Sequence, residues 1–453
     1  MSTATEKLAA HVAQLTFDKL PGKVVQDAKN VILDTVGVIL AGSRTPHGNV
    51  AVEIAKEFAD KKEATVFADG SKTSCLNAAF ANALMGGAVG FDDTYEPGMI
   101  HPAPPTFAAP FALGERLGAS GRDLITALVA GYDVGLRVGD AVLPWHVDQG
   151  FHPTGTVNHF CTGAAAGKML GLDAEQMVHA LALVGEQAAG LLQQDIDGSI
   201  ADSSLDRGKS AYDGILSALM AHKGYKGPRN ILEGRYGFCR VLSPEYDGAK
   251  LTADLGERYR VSETTIKPFP CCRFTHAGLA AARSLARENN IRAGSIESIL
   301  IRTNRQAIAS TDRAGDELLW NPIMSFQYNI SCILVRGDVT LADLKPESVR
   351  APEVFEFSRK VRLVEDEELN KLYPQKWPSR VEITLKDGRT FSRRQDDAPG
   401  GPVLPMTDEE IARKFRNCAA PIIGDEKAEK LLEAIRQLEV LDDVRRLDVL
   451  LSR

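Results

Sequence analysis

The sequence predicts a mainly α-helical fold, with a large all-helical domain and a smaller α+β domain. Three observations support this prediction. Apolar residues recur every three to four positions between about residues 5 and 265, polar and apolar residues alternate in segments between about 266 and 400, and helix-start signals return after residue 400. A chain of 453 residues with 44% hydrophobic content can bury one large core or two to three ordinary ones.

The helical domain is predicted to span residues 1–265. In GKVVQDAKNVILDTVGVIL the apolar positions fall on one face of a helix; these are Val24, Ala28, Val31, Ile32, Thr35 and Val38. Alanine-rich segments such as NAAFANALMGGA, HFCTGAAAGKML and YDGILSALMAHKG follow. Small residues let helices approach closely, so these segments indicate a compact helical bundle.

The α+β domain is predicted to span residues 266–399. SIESILIRTN and SRVEITLKDGRTFSRR alternate polar and apolar residues, and Asp387-Gly388 stands where a hairpin turn is expected. Thr407 and Glu410 then form a capping-box pattern, which predicts helices to the end of the chain. We expect residues 400–453 to complete the helical domain.

Composition excludes several classes of function. Acidic residues outnumber basic ones by 60 to 53 and no long run of like charge occurs, which argues against a nucleic-acid partner. The N-terminal residues lack a signal-peptide pattern and the apolar runs are too short for a bilayer, which predicts a cytoplasmic protein without a membrane partner. The seven cysteines form no CxxC pair and are predicted to be free thiols.

Common cofactor motifs are incomplete. Gly208-Lys209-Ser210 resembles the end of a phosphate-binding loop, but Ser203 occupies the position of the required earlier glycine. DIDGS at 195–199 lacks the full set of calcium-loop acids. Neither motif predicts a nucleotide or a metal ion.

Polar groups in glycine- and proline-marked loops are the remaining candidates for chemistry. The stretch FDDTYEPGMIHP, residues 91–102, carries adjacent aspartates, a threonine and a histidine. The other candidates are His152 in GFHPTG, Lys209, then Lys267, Arg273 and His276 in KPFPCCRFTH, and Tyr328 in SFQYN. Taken singly, each has an ordinary structural explanation, because loop histidines and surface cations are common. Their combination is more informative.

These motifs, together with LPGKVVQDAKNVILDTVGVILAG, NAAFAN, GLDAEQ and GPRNILEGRYGF, resemble the MmgE/PrpD family along nearly the whole chain. That family includes 2-methylcitrate dehydratase, cis-aconitate decarboxylase and iminodisuccinate epimerase. The resemblance implies a helical domain built from both chain ends, an α+β domain, a homodimer, and a site between the domains with no metal or organic cofactor.

The resemblance also implies the site residues. The catalytic ones would be His101, Lys209 and Tyr328, and the substrate-binding ones Asp93, Thr94, His152, Lys267, Arg273 and His276. His101 would transfer protons while Asp93 and Thr94 fix its surroundings, since histidine titrates near neutrality. Tyr328 would be a second acid or base. The cations would stabilise negative charge that develops beside a carboxylate.

The expected activity is that of a cofactor-independent lyase that dehydrates or decarboxylates a small di- or tricarboxylic acid. An epimerase that moves a proton beside a carboxylate and a non-enzymatic anion-binding homologue are the alternatives. Gly87 and Gly90 replace a histidine and an aspartate common in the family, and Tyr212 replaces a histidine. We therefore expect a substrate other than cis-aconitate or 2-methylcitrate, unless both glycines only permit close packing.

Overall fold

The computed structural model describes residues 2–59, 61–197 and 205–453. These residues divide into two compact units. The larger unit comprises 2–59, 61–193, 205–266 and Thr407–Arg453, and the smaller one 194–197 and Lys267–Met406. The predicted domains differ from these units in the placement of 194–197, Ile266 and 400–406.

Helices dominate the larger unit. In chain order they are α1 Ala4–Gln14, α2 Gly22–Gly42, α3 Pro46–Glu57, α4 Cys75–Gly87, α5 Ala103–Leu117, α6 Gly121–Val142, α7 Trp145–Asp148, α8 Pro153–Thr156, α9 Asn158–Met169, α10 Ala174–Gln187, α12 Leu205–His222 and α13 Phe238–Val241. The short helix α11, Gln193–Ile196, belongs to the smaller unit except for its first residue. The predicted apolar face of α2 is buried at all six positions, which confirms that periodicity identified this helix correctly.

A short β ladder interrupts the helical unit. The two-residue strands β1 (Ala64–Thr65) and β2 (Lys72–Thr73) pair antiparallel. The backbone N–H of Thr65 donates to both carboxylate oxygens of Glu115 at 3.0 Å, which fastens the ladder to α5. The expectation of a wholly helical domain was wrong here, because two-residue strands carry no measurable period.

The smaller unit combines helices with one sheet. Its helices are α14 His276–Glu288, α15 Arg305–Thr311, α16 Glu317–Trp320, α17 Phe326–Arg336, α18 Pro346–Val349, α19 Pro352–Ser358 and α20 Glu367–Asn370, and its strands are β3 Ile296–Thr303, β4 Val361–Glu365, β5 Ser379–Leu385 and β6 Thr390–Gln395. The sheet order is β4-β3-β5-β6, with β3 and β4 parallel and the other pairs antiparallel. The predicted hairpin turn is confirmed, since Gly388 between β5 and β6 has φ 89°.

Two C-terminal helices belong to the larger unit, α21 (Asp408–Ile423) and α22 (Asp425–Arg436). Thr407 caps α21 and forms the predicted capping box with Glu410. Helix α21 packs against α2, where the Lys414 ammonium lies 2.6 Å from the Asp34 carboxylate and both side chains are buried. The structure thus confirms the mainly α fold class.

Three smaller predictions can also be compared with the structure. All seven cysteines are free thiols, as predicted. Lys209 lies within α12 rather than in a loop, while Ser203 and residues 198–199 of the DIDGS segment lie outside the described residues. Among the helices that the structure describes, none is both long and apolar enough to cross a membrane.

Candidate active site

Residues 91–102 form a tight turn between α4 and α5. Tyr95 and Ile100 exchange backbone hydrogen bonds of 2.8 and 3.2 Å, and Thr94 exchanges bonds of 3.0 and 2.8 Å with Thr265. A Cβ on Gly98 would come within 2.8 Å of both Tyr95 and Ile100 side chains, so this turn requires glycine. These contacts hold the polar residues of the turn in one arrangement.

His101 is oriented by this turn. Its Nδ1 lies 2.6 Å from the backbone oxygen of Asp93 and 3.3 Å from Thr94 Oγ1. The Asp92 carboxylate is 3.8 Å from the same nitrogen. Because a carbonyl oxygen only accepts hydrogen bonds, Nδ1 carries the proton, and the proton-accepting lone pair of the neutral ring lies on Nε2. The side chain is 21% exposed, so His101 is both oriented and accessible.

The segment that follows His152 fixes the backbone of His101. The His101 N–H donates to Thr154 Oγ1 at 3.2 Å, and the Asn158 amide donates to the His101 carbonyl at 2.9 Å. Thr154 belongs to α8, for which His152 is the N-cap. The structure therefore brings His101 and the His152 segment together, although they lie far apart in the sequence.

His152 forms a second histidine–carboxylate pair. Its Nδ1 lies 2.6 Å from Asp206 Oδ2, and both side chains are buried. An ionised carboxylate accepts hydrogen bonds only, so Nδ1 of His152 also carries the proton. The ring of His152 thus has the same tautomer as that of His101.

Arg207 joins the two pairs, and the sequence analysis missed it. Its Nε and Nη2 each lie 2.8 Å from Asp92 Oδ2, and its Nη1 lies 3.5 Å from Asp206 Oδ1. Burial alone would lower the pKa of Arg207, but the Asp92 and Asp206 carboxylates raise it overall. No local signal could have revealed this contact, because Asp92 and Arg207 are 115 residues apart.

Asp93 contacts His101 through its backbone oxygen and holds the turn through its side chain. Its carboxylate accepts the Ala103 N–H at 2.8 Å, at the start of α5, and the Tyr132 hydroxyl at 2.7 Å. Burial raises the pKa of Asp93 to about 8. Asp93 and Thr94 therefore both contact His101, and their binding of substrate stays a prediction.

Lys209 lies one turn after Asp206 on α12. Its ammonium donates to Asp213 Oδ2 at 2.5 Å and to the Gln187 carbonyl at 2.7 Å. His159 Nε2 shares the same Asp213 oxygen at 3.0 Å. Burial alone would raise the pKa of Asp213, but the hydrogen bonds from His159 and Lys209 lower it overall. The Lys209 side chain is 39% exposed, and its ammonium also lies 3.3 Å from His159 Nε2.

A groove of about 1010 Å³ opens beside Lys209. Phe58, Phe80 and Leu205 contribute its apolar walls, and Tyr212 lies next to Lys209 in its lining. Tyr212 therefore lines the groove at a position where members of the family commonly have a histidine. The two glycine replacements differ from each other: Gly90 has φ 60°, which favours glycine, whereas Gly87 is buried at the end of α4.

The smaller unit holds Lys267, Arg273 and His276, all of them buried. Arg273 donates to the carbonyls of Pro399 at 2.5 Å and Ala398 at 3.0 Å, and its Nη1 lies 3.2 Å from His276 Nδ1. Since a guanidinium only donates, His276 Nδ1 is the acceptor. Arg273 and His276 are therefore in contact, and the binding role of all three residues stays a prediction.

Tyr328 lies in the hydrophobic core of the smaller unit. Its side chain is buried and its hydroxyl donates to the Asp343 carbonyl at 2.6 Å. Burial raises the pKa of the Tyr328 phenol, so it holds its proton tightly. This geometry favours a packing role, and the predicted proton transfer by Tyr328 awaits a test.

Comparison with known proteins agrees with these observations. The MmgE/PrpD N-terminal domain model matches residues 6–249, and the MmgE/PrpD C-terminal domain model matches residues 269–440. A cis-aconitate decarboxylase of Aspergillus terreus is 27% identical over 482 residues, covering 100% of this chain and 96% of the relative. The human cis-aconitate decarboxylase is 27% identical over 477 residues, covering 100% and 95%. The chain therefore belongs to the MmgE/PrpD family.

Proposed function

We propose that the protein is a lyase that acts on a small di- or tricarboxylic acid by acid–base proton transfer. The observation that carries this proposal is the pair of histidines, His101 and His152, each with its Nδ1–H fixed by an acceptor. Both rings then work through Nε2, which can accept or deliver a proton at a substrate carbon or oxygen. The cis-aconitate decarboxylases similar to this chain support the lyase class.

Two lyase reactions suit these groups. In a dehydration, the base removes a proton from the carbon beside a carboxylate, the C–O bond breaks, and the acid protonates the leaving hydroxide to give water. In a decarboxylation, the C–C bond breaks to release carbon dioxide, its electron pair stays on the remaining carbon, and the acid protonates that carbon. Both reactions build negative charge, for which Lys209 is the proposed cation.

His101 is the proposed main proton-transfer group because it is partly exposed and oriented. For the second group we propose His152 in place of Tyr328, since the Tyr328 hydroxyl is committed to the Asp343 carbonyl. Lys267, Arg273 and His276 remain proposed substrate-binding residues on chemical grounds alone. The predicted homodimer and cytoplasmic location also remain proposals, and light scattering after gel filtration tests the first.

Epimerisation is the second candidate. Two histidines of the same tautomer could remove a proton from one face of a carbon and return it to the other. This alternative requires no leaving group. Its signature is exchange with solvent and loss of optical activity without an unsaturated product.

Proton NMR in deuterated water separates these functions. The purified protein is incubated with a panel of small acids that includes cis-aconitate and 2-methylcitrate, with the His101→Ala variant prepared in parallel. A new olefinic signal from a product that mass spectrometry shows to have lost water indicates elimination, a product that has lost carbon dioxide indicates decarboxylation, and deuterium incorporation alone indicates epimerisation. If no acid reacts even with stoichiometric protein, the catalytic proposal is wrong and an anion-binding homologue is favoured.

We further propose that the preferred acid is neither cis-aconitate nor 2-methylcitrate. At Gly87 and Gly90 the imidazole and carboxylate common in the family are absent. Loss of a hydrogen-bonding partner in a buried site costs about 1–3 kcal/mol against a substrate that needs it. Steady-state assays with both acids test this proposal. Ordinary turnover of either acid would contradict it, and the glycines would then be explained by the backbone geometry at Gly90 and by helix packing at Gly87.

A further inference from the structure

We propose that Arg207 is a positioning residue, which joins the two histidine–carboxylate pairs and keeps His101 and His152 neutral in their Nδ1–H tautomers. The catalytic consequence of this role depends on the function proposed above. The electrostatic role does not, because it concerns only the side chains of the protein.

Each carboxylate divides its two oxygens between Arg207 and a histidine. Asp206 presents Oδ1 to Arg207 at 3.5 Å and Oδ2 to His152 at 2.6 Å. Asp92 presents Oδ2 to Arg207 at 2.8 Å and Oδ1 toward His101 at 3.8 Å. The guanidinium is planar, with donors along both edges, and can therefore contact two carboxylates at once. One arginine thus holds the acidic partners of both rings.

Burial gives this arrangement its electrostatic effect. Arg207, Asp92, Asp206 and His152 are exposed by only 4%, 1%, 8% and 5%. A carboxylate in such surroundings stabilises an imidazolium strongly when no other cation is near. Arg207 shares its positive charge between both carboxylates and thereby weakens the attraction of each for a protonated histidine. A weaker attraction favours the neutral form of both rings, which is the form a base requires.

Other groups also face the cluster. The Asp93 carboxyl lies on the same turn as His101 and accepts the Ala103 N–H, His146 is near His152, and Lys209 lies one turn along α12. These groups are unchanged when Arg207 is replaced. A change in histidine titration on replacement of Arg207 therefore reports the guanidinium itself.

The test is a titration by NMR that needs no substrate. Histidine rings are labelled with ¹⁵N in the full-length protein, and long-range ¹H–¹⁵N spectra give tautomer and titration midpoint for each ring. His101→Gln and His152→Gln assign the two signals. Arg207→Met removes the charge, and Arg207→Lys keeps a charge that cannot span both carboxylates. Arg260→Met is the matched control, because Arg260 is 5% exposed and also pairs with two acids, Asp140 and Glu263.

We expect Arg207→Met to raise the midpoints of both rings by about one pH unit or more. Arg207→Lys should raise at least one of them, and it carries the test if the Met variant does not fold. On any acid that is turned over, the acid limb of the kcat/KM profile should move upward by the same amount. Midpoints and tautomers that match those of Arg260→Met in the folded variants overturn the proposal. Shifted midpoints in a protein that turns over no acid uphold the proposal and reject the lyase function.

Discussion

The histidines of the larger and the smaller unit differ in the hydrogen-bond partners of their ring nitrogens. In the larger unit, His101 and His152 present Nδ1–H to oxygen acceptors, and each has a carboxylate nearby, Asp92 and Asp206 respectively. A ring in these surroundings can gain a proton on Nε2 without losing its contacts, because the added positive charge faces a negative one.

His276 in the smaller unit is held in the opposite way. Arg273 donates to Nδ1, and Nε2 lies 3.2 Å from the Cys271 carbonyl, so the ring accepts on one side and donates on the other. A second proton would have to bind to Nδ1 of His276, where the new N–H would face the N–H of Arg273 and two positive charges would lie in contact. The comparison teaches that neighbours assign roles to chemically identical rings: the surroundings of His101 and His152 suit proton transfer, whereas both ring nitrogens of His276 are occupied by groups of the protein.

The largest effect is expected at His101. His101→Ala should lower turnover by roughly 10²–10⁴-fold with little change in thermal stability, because the proton-transfer group is lost while the turn keeps its backbone contacts. Steady-state kinetics on the acid identified by NMR measure this. His11→Gln is the matched control, since His11 Nε2 also pairs with a buried aspartate, Asp133, at 3.0 Å. Equal turnover in both variants would reduce His101 to a structural residue.

Arg273→Lys should raise KM about tenfold and leave kcat nearly unchanged. The lysine cannot reproduce the paired bonds to the Ala398 and Pro399 carbonyls, and uniform substrate binding affects KM alone. Initial rates over a range of substrate concentration separate the two constants. Arg283→Lys, in the same unit and paired with Asp338, should leave both constants unchanged. A fall in kcat of the Arg273 variant at constant KM would contradict the comparison by placing Arg273 in the chemical step.

Tyr328→Phe tests whether the Tyr328 hydroxyl stabilises the fold or transfers a proton. The change removes the hydroxyl that donates to the Asp343 carbonyl, and we expect a loss of about 1–2 kcal/mol in the free energy of unfolding with turnover nearly unchanged. Urea denaturation and kcat are measured on one preparation. A hundredfold loss of turnover at unchanged stability would instead restore the proton-transfer role predicted from the sequence.

Asp93→Asn should have the smallest effect, on the pH dependence of stability. The pKa of Asp93 is raised from 3.8 to about 8 by burial, so the folded state keeps a proton that the unfolded state releases. The stability from this group is full below about pH 4 and is lost as the pH rises through about 8. The variant should therefore lose less stability than wild type between pH 5 and 8 in urea titrations. Parallel pH dependences would show that Asp93 is ionised in the folded protein.

Patterns within a few residues of sequence predicted those secondary-structure elements whose formation depends on neighbouring residues. Helix α2, the hairpin at Gly388 and the capping box at Thr407 each follow from spacing within a few residues. The partner of Lys209 could also have been found, because Asp213 is four residues later on a predicted helix and such pairs face each other. The ladder of β1 and β2 was too short to leave a pattern.

The charged cluster could not have been predicted from spacing. Arg207 follows Asp206 directly yet contacts Asp92, 115 residues away, and nothing in the local sequence separates it from a surface arginine. The family resemblance supplied His101 and His152 but not the guanidinium between their acids. The same limit applies to Tyr328, whose motif gave no indication that its hydroxyl is enclosed in a core.

The contact between α21 and the turn before His101 has a consequence for biosynthesis. The Lys414 ammonium donates to the Phe91 carbonyl at 2.9 Å and lies 3.9 Å from the centre of the Phe91 ring. These residues are 323 positions apart. At about 5–20 residues per second, the ribosome makes the turn tens of seconds before it makes the helix that anchors it. The nascent chain therefore carries the turn without its contact to α21 for most of its synthesis, and translation that stops before α21 yields a polypeptide in which the Phe91 end of the turn lacks this contact.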